Sequence, residues 1–320
     1  MNFVKKVIGR ELDIFEKKFA ESVRSNTPLL DRIMKYIIKR KGKQLRPMFV
    51  FLCAKIGGEI NESTYRAAAL VELLHTATLV HDDVVDESFE RRGFFSINAV
   101  WKNKIAVLVG DYLLSKGLLL STSHDDFKHL HILSEAVKQM SEGELLQMEK
   151  SRKLNLDEAT YFEIIKNKTA SLLSSACAVG VYSTSKDEII TQQFKLFGEK
   201  VGIAFQIKDD LFDYGNEDIG KPTGNDIKEK KLTLPLIYTL NKTSNATRRR
   251  IIYIIKNENK NKESIRFVID SVLNEGGISY AQKMMNTYRD EALEILFNFP
   301  VTPERNALEE LVRYTTDRKY

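Results

Sequence analysis

Glycine and proline interrupt this chain in few places: Gly42 with Pro47, Gly57-Gly58, Gly93, Gly215 to Gly224, Gly276-Gly277, and Pro300 with Pro303. Between these breaks, apolar residues recur at three- and four-residue spacing, as in Leu29, Ile33, Ile37, then Val71, Leu74, Thr78, then Ile105, Leu108, Tyr112, Leu118. That is the period of one helix face. Alternating runs closed by Asn-Gly or Asp-Gly turns are hard to find, so a sheet is not expected. Residues 64–85 and 199–212 are apolar on more than one face, the pattern of central helices in a bundle. No fixed-period repeat and no linker-like stretch between Asn2 and Asn298 divides the chain. The expectation is all-α, one large bundle.

With 43% hydrophobic residues in 320, a sizeable core is affordable and disorder is excluded. Cys53 and Cys177 are far apart and lack a CxxC or a His at ligand spacing, so neither a disulfide framework nor a zinc site is expected, and a reducing cytoplasm fits best. The start, MNFVKKVIGRELDIFEKKF, is too charged for a secretory core. Its amphipathic residues Phe3, Val7, Phe15 and Phe19 are expected to pack on a partner or touch a membrane. The uncharged stretch from Thr169 to Ser185 is rich in Ser, Thr and Ala and reads as a buried helix. A net charge of +5 does not by itself imply a polyanion, and no nucleic-acid partner is expected. Arg248-Arg249-Arg250 and the run Lys256 to Lys262 read as a solvated helix start and a loop.

Two segments carry chemistry: His81-Asp82-Asp83-Val84-Val85-Asp86 and Lys208-Asp209-Asp210-Leu211-Phe212-Asp213. Each is a DDxxD ending an apolar stretch, and residues four apart share a helix face. Anions gathered at the mouth of a core are unfavourable unless a cation compensates them. All-oxygen donors point to a hard cation, and Mg²⁺ is typically shared between one or two carboxylates and substrate phosphates. His124-Asp125-Asp126, with His129 and His131 nearby, follows a polar break and reads as a loop and helix cap. Cations flank both acidic motifs: Lys43 and Arg46 in GKQLRP, Arg91 and Arg92, Lys168 before Thr169, and Lys221 in GKPTGND. Arg suits forked contacts to phosphate oxygens and Lys suits point contacts.

The ordered set GKQLRP, HTATLVHDDVVDE with RRG, GDYLL, SEGELLQ, KTASL, FQIKDDLFDYG, GKPTGND and KLTLPL resembles the trans-isoprenyl diphosphate synthases, most of all those making long all-trans polyprenyl chains. The resemblance spans Lys39 to Leu240 and extends weakly to the final DRKY. It implies a single isoprenoid synthase domain over residues 1–320, with a central cavity between core helices, active as a cytoplasmic homodimer with transient membrane contact for product release. It implies that Asp82, Asp86 and Asp209 hold Mg²⁺, about three ions per site, with Asp83, Asp210 and Asp213 in support. Arg91, Lys168, Lys221 and Lys231 are implied to grip the allylic diphosphate. Lys43, Arg46, His75 and Arg92 are implied to bind isopentenyl diphosphate, with Gln206 and Thr169 lining the space where the bond forms.

Ala77 and Thr78 lie one turn before the first motif, and both are small; in this family a large aromatic there stops growth. An open turn of ~5.4 Å lets the chain pass toward Leu74 and, by resemblance, grow to roughly six to ten isoprene units, for quinone side chains. Leu114, Leu118, Leu133 and Met140 are candidates for the tunnel floor, equally readable as core. Three rivals are a di-iron bundle, suggested by Glu72-x-x-His75 but lacking a second copy, a terpene cyclase, which needs no Lys43/Arg46 site, and a silent subunit, which would have lost an acidic motif. A synthase of shorter C15–C20 products is the other alternative.

Overall fold

A computed structural model describes residues 1–39, 42–91, 93–153, 157–215 and 224–318. As expected, these are almost wholly helical. In chain order come α1 (Asn2–Ser22), α2 (Pro28–Lys39), α3 (Leu45–Gly57), α4 (Glu62–Val85), α5 (Ile97–Trp101), α6 (Asn103–Thr122), α7 (Phe127–Lys153) and α8 (Glu158–Ile165). A π-helical turn (Lys166–Ala170) leads into α9 (Ser171–Ser185), then α10 (Glu188–Phe212), α11 (Asn225–Lys228), α12 (Leu234–Lys242) and α13 (Asn245–Tyr253). A second π turn (Ile254–Glu258) precedes α14 (Lys262–Asn274), α15 (Gly277–Phe297) and α16 (Pro303–Asp317). Among the described residues the only strands are β1 (Glu90–Arg91) and β2 (Phe94–Phe95), an antiparallel pair with Arg91 opposite Phe94.

The chain forms two compact units. The first comprises Met1–Val137, Ser175–Lys195 and Phe299–Leu308. Its α4 starts at a reciprocal cap, in which Asn61 accepts from the Thr64 amide while Thr64 accepts from the Asn61 amide. α3 is buried continuously from Pro47 to Ala54. Gly180 of α9 lies directly on α3: a Cβ there would stand 2.5 Å from the Val50 carbonyl oxygen. Small residues are therefore required where the two backbones meet, which explains the composition of the stretch expected as a buried helix. Cys53 and Cys177 are free and buried.

Two expectations need correction in this unit, those for α1 and for Leu118. The α1 stripe Val4, Ile8, Leu12 and Phe15 is buried, and Phe15 meets Phe51 edge-on at 5.8 Å, so most of that segment is committed to its own core. Asp126 stands directly before α7 as expected, its carbonyl accepting from the Leu130 amide at 3.1 Å, and its carboxylate also accepts from Ser63 at 2.8 Å and from Arg66, tying α7 to α4. Along α6 the buried stripe is Ala106, Val109, Leu113 and Gly117, whereas Leu108 (63% exposed) and Leu118 (50% exposed) face outward. Leu118 therefore does not read as a closed tunnel floor. Periodicity specified the spacing of that face, and packing against α4 chose its phase.

The second unit comprises Lys138–Ser174, Leu196–Asn298 and Glu309–Tyr320. Ile207 of α10, Leu236 of α12, Ile254 of the second π turn, Val268 of α14 and Ala281 of α15 share one core. A further correction falls in the polar run: residues 256–258 belong to the π turn and Lys262 opens α14, so only residues 259–261 form a loop.

Candidate active site

The first acidic motif closes α4. Asp83 is buried, with its backbone carbonyl accepting from the Ser88 amide (2.9 Å) and from Asn98 Nδ2 (3.0 Å). Asp82 is half-buried and Asp86 is exposed, and the Asp86 amide donates to the Asp82 carbonyl at 2.8 Å. The carboxylates thus sit at the negative end of the helix dipole, and the last turn of α4 holds no basic residue. GDYLL explains itself here: Gly110 leaves room for the His81 ring, and Asp111 lies 3.6 Å from His81 Nε2.

In the same unit, Arg46 in the first turn of α3 meets His75 of α4, with Nη1 2.9 Å from Nε2. Arginine has only donors, so this His nitrogen accepts, which assigns the proton to Nδ1. The Glu72-x-x-His75 iron reading has no support from this pairing. Lys43 is exposed beside them in sequence. Ala77 has no exposure and belongs to a cluster with Val80, Val109 and Leu113, while the Thr78 hydroxyl donates to the His75 carbonyl at 2.9 Å. Arg91 lies in β1; Arg92 and Lys221 lie outside the described residues.

The second unit encloses a cavity of about 230 Å³, lined by Lys168, Thr169, Gln206, Asp210, Asp226 and Lys231, with Ile164, Ile165 and Leu232 as apolar wall. A relay of hydrogen bonds orders it. Thr169 Oγ1 donates to Gln206 Oε1 (2.9 Å), Gln206 Nε2 donates to Asp210 Oδ1 (2.8 Å), and the Tyr161 hydroxyl donates to Asp210 Oδ2 (2.7 Å). Burial nevertheless pushes the Asp210 carboxyl up to about 7, aided by the charge of Asp209. Burial and the charge of Asp210 raise Asp226 to about 7 as well. Asp213 has a local task, accepting from the amides of Asn225 (2.8 Å) and Asp226 (3.1 Å). Asp209 pairs with Arg318, whose guanidinium also lies 4.2 Å from the centre of the Phe205 ring.

Several residues here carried no assigned role in the sequence. The first π turn projects Lys168 onto Glu144 (2.5 Å) and Gln147 (2.8 Å), and a Cβ at Gly143 would stand 2.9 Å from the Lys168 amide nitrogen. SEGELLQ is therefore the cradle of Lys168. Asp226 closes GKPTGND, in which only Lys221 had a role, and Tyr161 lies in none of the motifs. Arg318 was signalled only by DRKY. In KLTLPL, Thr233 meets the Tyr214 hydroxyl at 2.6 Å, and Lys231 rests on Glu229 at 2.5 Å.

These donors fit a hard cation. Both motifs end helices lacking a basic residue in the last turn, a guanidinium already stands on Asp209, and every candidate ligand is a carboxylate. Among the described residues no three His, Cys, Asp or Glu converge on one metal position. One or two carboxylates per ion is the protein share that Mg²⁺ takes when phosphates and waters complete its shell.

The profile of the polyprenyl synthetase family matches residues 27–272. The heptaprenyl diphosphate synthase component 2 of Bacillus subtilis (strain 168) is 32% identical, covering 98% of this chain and 89% of its own length. The all-trans-nonaprenyl-diphosphate synthase (geranyl-diphosphate specific) of Rhodobacter capsulatus is 34% identical over 97% of this chain and 96% of its own. The crystal structure of a decaprenyl diphosphate synthase from Rhodobacter capsulatus superposes with a TM-score of 0.93 at 33% identity, covering 98% of each chain.

Proposed function

This chain belongs to the polyprenyl synthetase family and is a prenyltransferase, and on that premise we propose that it condenses isopentenyl diphosphate with an allylic diphosphate, in repeated head-to-tail steps, to a long-chain all-trans polyprenyl diphosphate. The observation that carries the reading is the cavity of the second unit, where two lysines, the buried Asp210 and the half-buried Asp226 converge beside the apolar residues Ile164, Ile165 and Leu232. It suits an anionic head attached to a hydrocarbon.

Asp82, Asp86 and Asp209 would hold Mg²⁺, with Asp83, Asp210 and Asp213 in support. When bound, Mg²⁺ supplies Lewis-acid neutralisation of the leaving diphosphate. Lys168, held by Glu144 and Gln147, and Lys231 add fixed positive charge on the leaving oxygens, with Arg91 and Lys221 in the same role. Lys43, Arg46, His75 and Arg92 bind the isopentenyl diphosphate. Gln206, oriented by Thr169, lines the reacting end, and the apolar wall excludes water from the allylic cation. The proton lost after coupling goes to the released diphosphate.

The small residues Ala77 and Thr78 and the long-chain relatives support a long product, which suits a quinone side chain. The chain acts in the cytoplasm as a single catalytic domain and as a homodimer. The outward stripe of Val107, Leu108, Leu118 and Leu119 on α6 provides the apolar face for a second copy. α6 is also the one described helix long and apolar enough to cross a membrane, a property shared by core helices of soluble proteins. Release of so apolar a product requires transient membrane contact. A second reading, that turnover needs a partner subunit, is favoured by the Bacillus subtilis relative being a "component 2".

The test is purified protein with Mg²⁺, farnesyl diphosphate and labelled isopentenyl diphosphate, with product sized by chromatography. Incorporation abolished by EDTA, with products beyond C20, is expected. No incorporation by the protein alone would replace this reading with the partner-subunit one, and products stopping at C15–C20 would replace it with the short-chain one.

A further inference from the structure

Apart from Lys231, Leu232 and Thr233, the basic stretch that starts at the end of α11 and runs into α14 has no part in the cavity. From Lys228 to Arg266 eleven Lys and Arg face three Glu, a surplus of eight, in a chain whose total is +5. The rest of the chain is therefore net acidic, and the positive charge is concentrated in one segment. Hydrogen bonds gather that segment onto one surface of the second unit: Lys230 Nζ donates to the Lys256 carbonyl (3.2 Å), Asn259 Nδ2 donates to the Lys228 carbonyl (2.5 Å), and Arg250 pairs with Glu258 (3.3 Å). Among the described residues, none of Arg248, Lys256, Lys260 and Lys262 is paired with a carboxylate. Uncompensated like charges at this density repel one another, and a merely soluble surface would mix the signs.

Two exposed rings accompany it, Tyr253 (49% exposed) within the stretch and Phe267 (41% exposed) directly after it, and the Arg250 guanidinium lies 5.6 Å from the centre of the Tyr253 ring. The opposite side is apolar and buried, through Ile251, Ile254 and Ile255. Basic side chains with aromatic rings on the outer side of an anchored helix match the boundary of an anionic bilayer, where the cations meet lipid phosphates and the rings leave water. We propose that α13, the second π turn and the start of α14 form a docking surface for an anionic lipid bilayer. This deepens the membrane contact proposed above by locating it, and it replaces α1, whose apolar stripe is buried. It rests on the distribution of charge, so it stands or falls separately from the prenyl-transfer reading.

The test is co-sedimentation of the purified full chain with vesicles of phosphatidylcholine alone or mixed with phosphatidylglycerol. Binding only to the anionic vesicles, and its loss at high salt, is expected. The triple variant Arg249→Glu/Lys256→Glu/Lys260→Glu should lose binding on the order of a hundredfold, with its circular dichroism and basal turnover unchanged. The control Lys5→Glu/Lys6→Glu on α1 should bind like the wild type. If the triple variant unfolds, Tyr253→Ala with Phe267→Ala takes its place, and a partition several-fold weaker than wild type is expected. Equal binding to neutral vesicles, undiminished binding by the variants, or binding to single-stranded RNA with no binding to anionic vesicles would overturn the proposal.

Discussion

Tyr161 in α8 donates its hydroxyl proton to Asp210 Oδ2 at 2.7 Å, with both side chains buried and 49 positions apart in the chain. The bond holds the buried carboxylate of the second acidic motif from the side opposite Gln206, so Asp210 cannot rotate away from the cavity it lines. Tyr161→Phe keeps the ring and removes the donor. It should cost about 1–3 kcal/mol in urea unfolding, because a buried acceptor loses a partner. If Asp210 supports the metal, the Mg²⁺ concentration for half-maximal turnover should rise while Km for isopentenyl diphosphate stays unchanged; a proportional loss at all Mg²⁺ concentrations would show a purely structural bond.

Lys168 is presented by a π turn seated on Gly143. In Gly143→Ala the new Cβ would meet the Lys168 backbone nitrogen at 2.9 Å and Asn167 Cβ at 2.9 Å, contacts that only a shift of the turn can relieve. A stability loss of about 1–3 kcal/mol is expected, as for overpacking elsewhere. The displaced lysine should lower kcat by more than the stability loss explains, as judged by steady-state kinetics well below the melting temperature.

His129 is buried beside Asp126 (3.6 Å), with Arg66 and Lys186 also acting on it, and neither ring nitrogen has a hydrogen-bond partner. Desolvation pushes its pKa down to about 4, although the Asp126 charge opposes the shift. The folded state therefore resists a proton that the unfolded chain accepts near pH 6.5. The stability contribution of the neutral ring is complete above that pH and falls as the pH drops toward 4, by up to about 3 kcal/mol. Urea midpoints of wild type and His129→Gln, compared from pH 7 to pH 4, should converge as the wild type weakens; parallel curves would refute this.

Ala77 has no exposed surface, one turn before Asp82. Ala77→Tyr should shorten the product to about the three-unit class, because a ring there closes the first ~5.4 Å turn of the path. Product sizing checks this, and turnover should persist. Unchanged length would remove Ala77 from the path and leave it as packing against Val80 and Leu113.

The helical class, the buried small-residue helix and both DDxxD motifs were legible because each depends on local spacing. SEGELLQ was visible as a motif, but its purpose was not: Glu144 and Gln147 acquire meaning only when the π turn brings Lys168 to them. The covered face of α6 and the contacts of Asp126 with Ser63 and Arg66 were not legible for the same reason. A helical repeat defines which residues share a face, and the neighbouring element decides which face is covered.

The amino-acid sequence determined the elements, the acidic and basic motifs and the family they belong to, since these follow from periods of three to four residues and from residue type. Tertiary structure alone decided which aspartate of each motif is buried, that Arg318 stands on Asp209, and that Tyr161 and Gln206 share the carboxylate of Asp210. Those choices depend on burial and on partners far apart in the chain. A carboxylate becomes expensive to ionise, and so dependent on its neighbours, only after packing has removed its water.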